Sequence, residues 1–363
     1  IVNKFRFPHI LDIVPSDYDF NGGEEDESDT EHDFLITPVT SEDAEDIAKL
    51  IYRSYSYSYP KEDLYFPKRI ETAIRNDYKY GTIVRTESGR PAGYFAVVKS
   101  TDSMIGEVNE AVVSPAYRKR GLMKKMMLHL IEMSRQRGLS GLFGMALTNH
   151  VFSQKVNVRY GFNSTALIIS KTGKRVFKGM EKSHLDMVSV ILDFLPLTNQ
   201  WERPPVMPEA YAGLLSKIYD QFSDPKPAVS DDPPTLSRKN KTEMHLSINY
   251  ESQSALITVK TYGATFVESC KRMLKSTEEI TLTSLYIDLP MDDSYIYAAI
   301  SRLKEHGFIL SGLMPFFHQE EDYLRMQKIY NEVDFEEIQT FTEIAGKLKK
   351  VIQDEYTDLQ KNQ

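Results

Sequence analysis

Between Ile105 and Arg137 the chain passes from strand to basic loop to glycine to helix, and few folds accommodate that order. Ile105 to Val113 has strand character and stops at Ser114-Pro115. Arg118, Lys119 and Arg120 follow, and Gly121 opens a helix. Leu122, Met126, Leu130 and Met133 give that helix one apolar face, and Gly138 stops it. The first turn of a helix carries unpaired N–H groups and the positive end of the helix dipole. Glycine lets the backbone come close to an anion, and Lys124 and Lys125 add charge. The segment predicts a phosphate-binding loop. A solvated basic helix start is the alternative. A Walker-type loop is excluded, because no Gly-x4-Gly-Lys-Ser/Thr run is present.

A chain of 363 residues is long for one core and predicts two domains. Its formal net charge of -8 argues against broad attraction to nucleic acid or to an anionic membrane. Cys270 is the only cysteine, so no internal disulfide is expected and a reducing, cytoplasmic setting fits. In an apolar helix it reads as buried filler rather than a nucleophile. No His/Cys/Asp grouping has metal-ligand spacing, so no metal is expected. No apolar run reaches the roughly 18 residues of a membrane span.

The block from Asn21 to Asp33 is too acidic to bury and reads as a solvated linker after an N-terminal segment, giving a first division at residues 1–33. Residues 34–200 then read as one domain and 201–363 as another, with Thr198 to Pro208 as the joint. The first domain has the order β-α-(α)-β-β-β-α-β-α-β-β, a mixed α/β (α+β) sheet with helices on its faces. The second partly echoes it. Strands 243–250, 254–262, 284–289 and 308–316 and helices 266–274 and 295–306 are expected, with a last helix over 335–359. Arg159-Tyr160-Gly161-Phe162 with Ala166-Leu167-Ile168 corresponds to Glu305-His306-Gly307-Phe308 with Gly312-Leu313-Met314, a weak internal duplication.

Val112-Val113-Ser114-Pro115-Ala116-Tyr117-Arg118-Lys119-Arg120-Gly121-Leu122-Met123 resembles the acetyl-CoA pyrophosphate motif of the GNAT acetyltransferases, Arg/Gln-x-x-Gly-x-Gly/Ala after the fourth strand. Asn149 to Phe162, ending Arg159-Tyr160-Gly161-Phe162, is similar to that family's fourth helix with its terminal Gly-Phe. The resemblance implies an acyl-CoA N-acyltransferase fold over residues 34–197 and a degenerate second GNAT-like domain, because Gly263-Ala264-Thr265 is too short and uncharged to grip a diphosphate. It implies acetyl-CoA held by the backbone of Lys119, Arg120, Gly121, Leu122, Met123 and Lys124 with Arg118 beside them. Ala111, Val112 and Val113 of the fourth strand would lie along the pantetheine arm and thioester.

The implied reaction is direct attack by a neutral primary amine on the thioester. It needs a base for the ammonium proton and an acid for the leaving thiolate. Some family members place a glutamate eleven residues before the motif, which here is Glu107. Alternation puts Glu110 on the opposite face unless a bulge intervenes. The family's acid, a tyrosine four residues before the helix-ending glycine, is replaced by Asn157, and Met123 stands where Gly or Ala is usual. Asparagine donates a hydrogen bond but no proton. Tyr57, Tyr59 and His150 are the candidate substrate contacts. The acceptor amine is not legible, self-association into a homo-oligomer is allowed for, and a non-catalytic acyl-CoA sensor or scaffold is the alternative function.

Overall fold

The structure, a computed structural model, describes residues 33–57, 59, 61–101, 103–173, 187–198, 205–222, 241–250 and 252–361. Residues 1–32, most of the expected joint at 198–208 and nearly all of the loop 223–241 lie outside the described residues. The described chain forms two compact units. One comprises residues 33–101 and 106–142, and the other holds 103–105 and everything from Phe143 on.

In the first unit four antiparallel strands lie in the order β1 (Phe34–Pro38), β2 (Lys79–Thr86), β3 (Pro91–Lys99) and β4 (Ile105–Val113). Helix α1 (Ala44–Tyr55) buries Ile47, Leu50 and Ile51 at helical spacing. They pack with Ile70 of α2 (Pro67–Arg75) against Tyr94, Ala96 and Val112 of the sheet. Alternation along β3 turns Gly93 to the other face, where α3 (Leu122–Gln136) lies. A Cβ at Gly93 would come within 3.2 Å of Met126 Cε, so the glycine lets that helix sit close. β4 is bulged: its pairing with β3 slips between Ala96/Asn109 and Tyr94/Val112, and Glu110 takes a φ of 63°.

In the second unit the strand order is β5 (Gly141–Leu147), β7 (Met187–Pro196), β6 (Asn163–Gly173), β11 (Ile309–His318), β12 (Glu321–Ile329), β10 (Ser284–Pro290), β9 (Ser254–Thr261) and β8 (Glu243–Asn249). β9 and β10 are parallel, whereas β6/β7, β6/β11, β11/β12, β12/β10 and β8/β9 are antiparallel. With α4 (Phe152–Arg159) and α7 (Ile296–Glu305), the runs β5-α4-β6-β7 and β10-α7-β11-β12 follow one plan. Their sheet order mirrors about the β6/β11 contact. That contact places Ala166 opposite Gly312, the two positions the sequence echo aligns. A Cβ on Gly312 would lie 2.4 Å from the Thr165 carbonyl oxygen, so only glycine permits the approach. Helices α5 (Ala212–Tyr219) and α6 (Phe266–Thr277) and the long α8 (Glu343–Lys361) complete the unit. Ala345, Leu348 and Ile352 of α8 are buried on the side it turns to β6 and β11.

Two elements differ from the sequence reading. β12 was not expected, because Asp322, Arg325 and Gln327 interrupt its apolar pattern; all three are buried with partners. Its hairpin turns on Gln319 and Glu320, both at positive φ without a glycine to announce it. The last helix begins at Glu343 rather than Phe335. The intervening 338–342 runs alongside β5 and α4 instead: Gln339 N–H donates to the Thr148 carbonyl (2.7 Å), and Gln154 clamps Gln339 O and Phe341 N at 2.8 Å each.

Candidate active site

The basic loop leaves β4 through a 3-10 turn at Pro115–Tyr117 and enters α3 at Gly121. Lys119 (φ 65°) and Gly121 (φ 75°) are both left-handed, which turns successive peptide N–H groups to one side of the loop. Among the described residues the amides of Lys119, Gly121, Leu122, Met123 and Lys124 donate to no protein acceptor. A Cβ added at Gly121 meets nothing within 4 Å, so the space beside Gly121 is open. Arg118, Lys119, Lys124 and Lys125 are exposed around it. Arg120 differs, since its guanidinium lies 5.5 and 5.8 Å over the rings of Tyr117 and Phe34 and braces the loop against β1. Leu122 is buried and anchors the helix, and Val112 turns its side chain into the α1 core. Open main-chain amides beside exposed cations are a donor set that fits an anion, and the residues present fit the diphosphate of a CoA thioester.

The bulge answers the question alternation left open. Because Asn109 and Glu110 occupy consecutive positions across it, Glu110 shares the face of Tyr94, and Glu107, opposite Val98, shares it too. Glu107 is half-buried and accepts a bond from Asn109 Nδ2 at 2.7 Å. Glu110 is 5% exposed and bound to Lys79 Nζ (3.0 Å), Lys61 Nζ (3.2 Å) and Tyr94 OH (3.0 Å). Burial pushes its carboxyl up, but the two lysines and the bonds from Lys79 and Tyr94 outweigh burial and hold it below the ordinary glutamate range. Tyr94 is driven the other way, by burial first and then by the Glu110 charge. The Lys61–Glu110–Lys79–Tyr94 cluster escaped the sequence reading. Its one signal was Asn109-Glu110, two polar neighbours that break the alternation of Glu107, Val108 and Asn109.

Tyr57 and Tyr59 belong to a tyrosine cluster after α1. Tyr57 packs on Tyr52 (5.0 Å) and Tyr65 (5.9 Å), Tyr59 on Tyr55 (5.0 Å). The buried Tyr65 hydroxyl donates to Ser56 O at 2.6 Å and accepts from Tyr59 N at 2.9 Å, which fixes the loop. Tyr55 OH reaches Ala111 O at 3.4 Å, beside the bulge.

Asn157 and His150 lie in the second unit. Asn157 is buried on α4, and its amide donates to Asp193 Oδ2 (2.9 Å), whose other oxygen accepts from Ser164 (2.7 Å). Burial lifts Asp193 to about 6, against a drag from those two bonds. His150 is half-buried, its Nδ1 has no partner among the described residues, and its ring stacks obliquely on Phe152 at 5.5 Å. Next to it, Thr148 and Asn149 line a small, open cleft, with Ser170, Ser189, Asn331 and Glu337 also on its walls.

The Asp193 shift makes a prediction. A carboxyl whose folded pKa is raised favours the protonated fold, so stability is full below pH 3.8 and falls as pH rises toward 6. Asp193→Asn should erase that slope and leave the protein more stable at pH 7.5 by about 2–3 kcal/mol. Thermal unfolding of both proteins from pH 4 to 8 measures it, and parallel curves would contradict it.

The start of α6 in the second unit is built differently. Gly263 N–H donates to Thr242 Oγ1 (3.0 Å), Thr242 Oγ1 donates back to Gly263 O (3.1 Å), and Tyr262 OH ties β9 to Pro290 O of β10 at 3.0 Å. Tyr262, Phe266 and Tyr295 fill the space with ring centroids 5.3–5.6 Å apart. Cys270, further along that helix, is buried and its thiol is pushed up to about 12, consistent with filler.

Residues 44–160, which include the basic loop and the β4 face, match the sequence model of the acetyltransferase (GNAT) family, and the chain carries a GNAT acetyltransferase domain there. No curated protein matches the chain. Among solved structures it is similar to the ribosomal-protein-S18-alanine N-acetyltransferase of Escherichia coli, at 15% identity over 47% of this chain and 97% of that one, with a TM-score of 0.37. An N-acetyltransferase from Staphylococcus aureus matches at 16% identity over 46% and 99%, TM-score 0.36. A phosphinothricin acetyltransferase from Sinorhizobium meliloti, solved in complex with AcCoA, matches at 16% over 46% and 89%, TM-score 0.37. No described helix is long and apolar enough to cross a membrane.

Proposed function

We propose that this protein is an N-acetyltransferase that moves an acetyl group from acetyl-CoA to a primary amine, with one cofactor site per chain. The observation that carries the reading is the left-handed loop at Lys119 and Gly121: among the described residues the amides of Lys119, Gly121, Leu122, Met123 and Lys124 have no protein acceptor, and exposed cations ring them. The main chain of 119–124 holds the diphosphate, and the edge of β4 at Ala111 and Val113 aligns the pantetheine arm. Glu107, half-buried on the bulged face, takes the proton of the acceptor ammonium. Glu110 is a poor base by comparison, held ionised with both oxygens engaged. We assign Asn157 to supporting Asp193 rather than to proton transfer.

We assign 34–200 and 201–363 to two GNAT-like folds in tandem. The mirrored strand order, and Ala166 facing its echo Gly312, support this, and the filled start of α6 supports a single cofactor site. A non-catalytic acyl-CoA sensor is the second reading, favoured by the commitment of the Asn157 amide to Asp193.

Incubation with acetyl-CoA and a broad amine panel, read by free thiol, decides between them. Turnover supports the enzyme. Thermal stabilisation by CoA without turnover on any amine supports the sensor, and no stabilisation refutes both. For the enzyme, Glu107→Gln should lower kcat at pH 7 roughly 100-fold with CoA affinity unchanged. Equal rates would remove Glu107 from the base role.

A further inference from the structure

We propose that the acceptor is a small amino acid whose carboxylate is bound by Lys61, an inference that rests on the acetyltransferase reading above. In the cluster around Glu110 one carboxylate is shared by two ammonium groups. Lys79 is 8% exposed at its side chain and committed to Glu110, whereas Lys61 is 35% exposed. Among the described residues the Lys61 ammonium makes a single hydrogen bond, to Glu110 Oε1. Two of its three donors are therefore available to a ligand.

Three features make this a built site. Lys61 caps the 3-10 turn Glu62–Tyr65, with Leu64 N–H bonded to its carbonyl at 3.2 Å, and the Tyr65 hydroxyl pins the chain just before it. Glu110, which aims the ammonium, sits at a φ of 63° that a non-glycine residue adopts only under constraint. The bulge also sets Glu110 on the face of Glu107, so cation and candidate base stand on one side of β4.

The charge decides what can dock. A simple ammonium would have to displace Lys61 to reach Glu110, because both carboxylate oxygens are taken, and it would face Lys79 as a like charge. A carboxylate instead meets the two unengaged donors of Lys61 at a partly dehydrated position, where charge-assisted contacts are strong. An amine carrying a nearby carboxylate satisfies Lys61 with one end and presents the other to Glu107.

The experiment uses the full chain with acetyl-CoA and two matched panels, the free amino acids and their carboxamides. Binding of N-acetylglycine and N-acetylglycinamide in the presence of CoA is measured by calorimetry alongside. Free amino acids should be acetylated, with amides at least 10-fold poorer in kcat/KM, and N-acetylglycine should bind the tighter. Lys61→Met should raise KM for the amino acids roughly 10- to 100-fold, leave the amides unaffected and spare CoA binding, with Lys61→Arg recovering part of the loss. Amides used as well as free acids would overturn the proposal, as would a Lys61→Met effect equal on both panels. CoA stabilisation with no amino acid turned over and no N-acetylglycine bound overturns it too, while leaving the enzyme reading intact. A protein that CoA does not stabilise fails at the earlier step and takes both readings with it.

Discussion

Replacing Gly121 with aspartate should cut CoA affinity by at least about 100-fold while leaving the protein folded. The two consequences separate because they have different physical origins. Aspartate tolerates the left-handed region better than most residues, so the φ of 75° costs only about 1 kcal/mol. A Cβ there meets nothing within 4 Å, so no clash arises. The carboxylate, however, stands where the diphosphate would, and like charges a few ångströms apart in a partly dehydrated site repel by several kcal/mol. Calorimetry with CoA reads the affinity and thermal unfolding reads the fold. Gly121→Asp binding CoA as the native chain does would mean that this loop is not the cofactor site.

Removal of the Glu110 carboxylate is the larger experiment for stability. Glu110→Ala strands Lys79, almost fully buried, without its counter-charge, and such single removals cost about 3–5 kcal/mol. That corresponds to a fall in Tm on the order of 6–20 °C for a domain of this size. The native pair also fixes the sign of a pH effect. A carboxyl held below its ordinary value contributes stability that is present above about pH 4.5 and lost on acidification through the lowered value. The native protein should therefore lose stability below pH 4.5 more steeply than Glu110→Ala. Superimposable unfolding profiles from pH 3 to 7 would exclude the ion pair as a stabilising element.

Local signals in the chain were enough to place the strand, basic loop, glycine and helix between Ile105 and Gln136. A strand that ends at proline, a run of cations, a glycine and an amphipathic helix sit within one short stretch, and each has a backbone reason that survives into the structure. The β4 bulge was out of reach of alternation alone: Asn109-Glu110 breaks the pattern, but only the pairing with β3 shows which way Glu110 turns. Glu110 was consequently left as a residue of uncertain face. Asn157 was read against a family position, but its partner Asp193 is distant in sequence, and a buried polar pair of that kind has no local pattern. β12 hid for a related reason: Asp322, Arg325 and Gln327 look solvent-facing until Tyr219, Asp288 and the Leu310 carbonyl are placed beside them.

The ladder between β6 and β11 joins strands from opposite halves of the chain, with Gly312 pressed against Thr165 and Ala166. During synthesis, β6 waits with a bare edge until the ribosome has released most of the polypeptide. Such late closure slows folding and leaves an adhesive flank in the meantime. A fragment that ends before Ile309 should therefore precipitate on expression even with residues 34–142 complete, and a bulkier residue at 312 should reproduce that behaviour in the full-length protein.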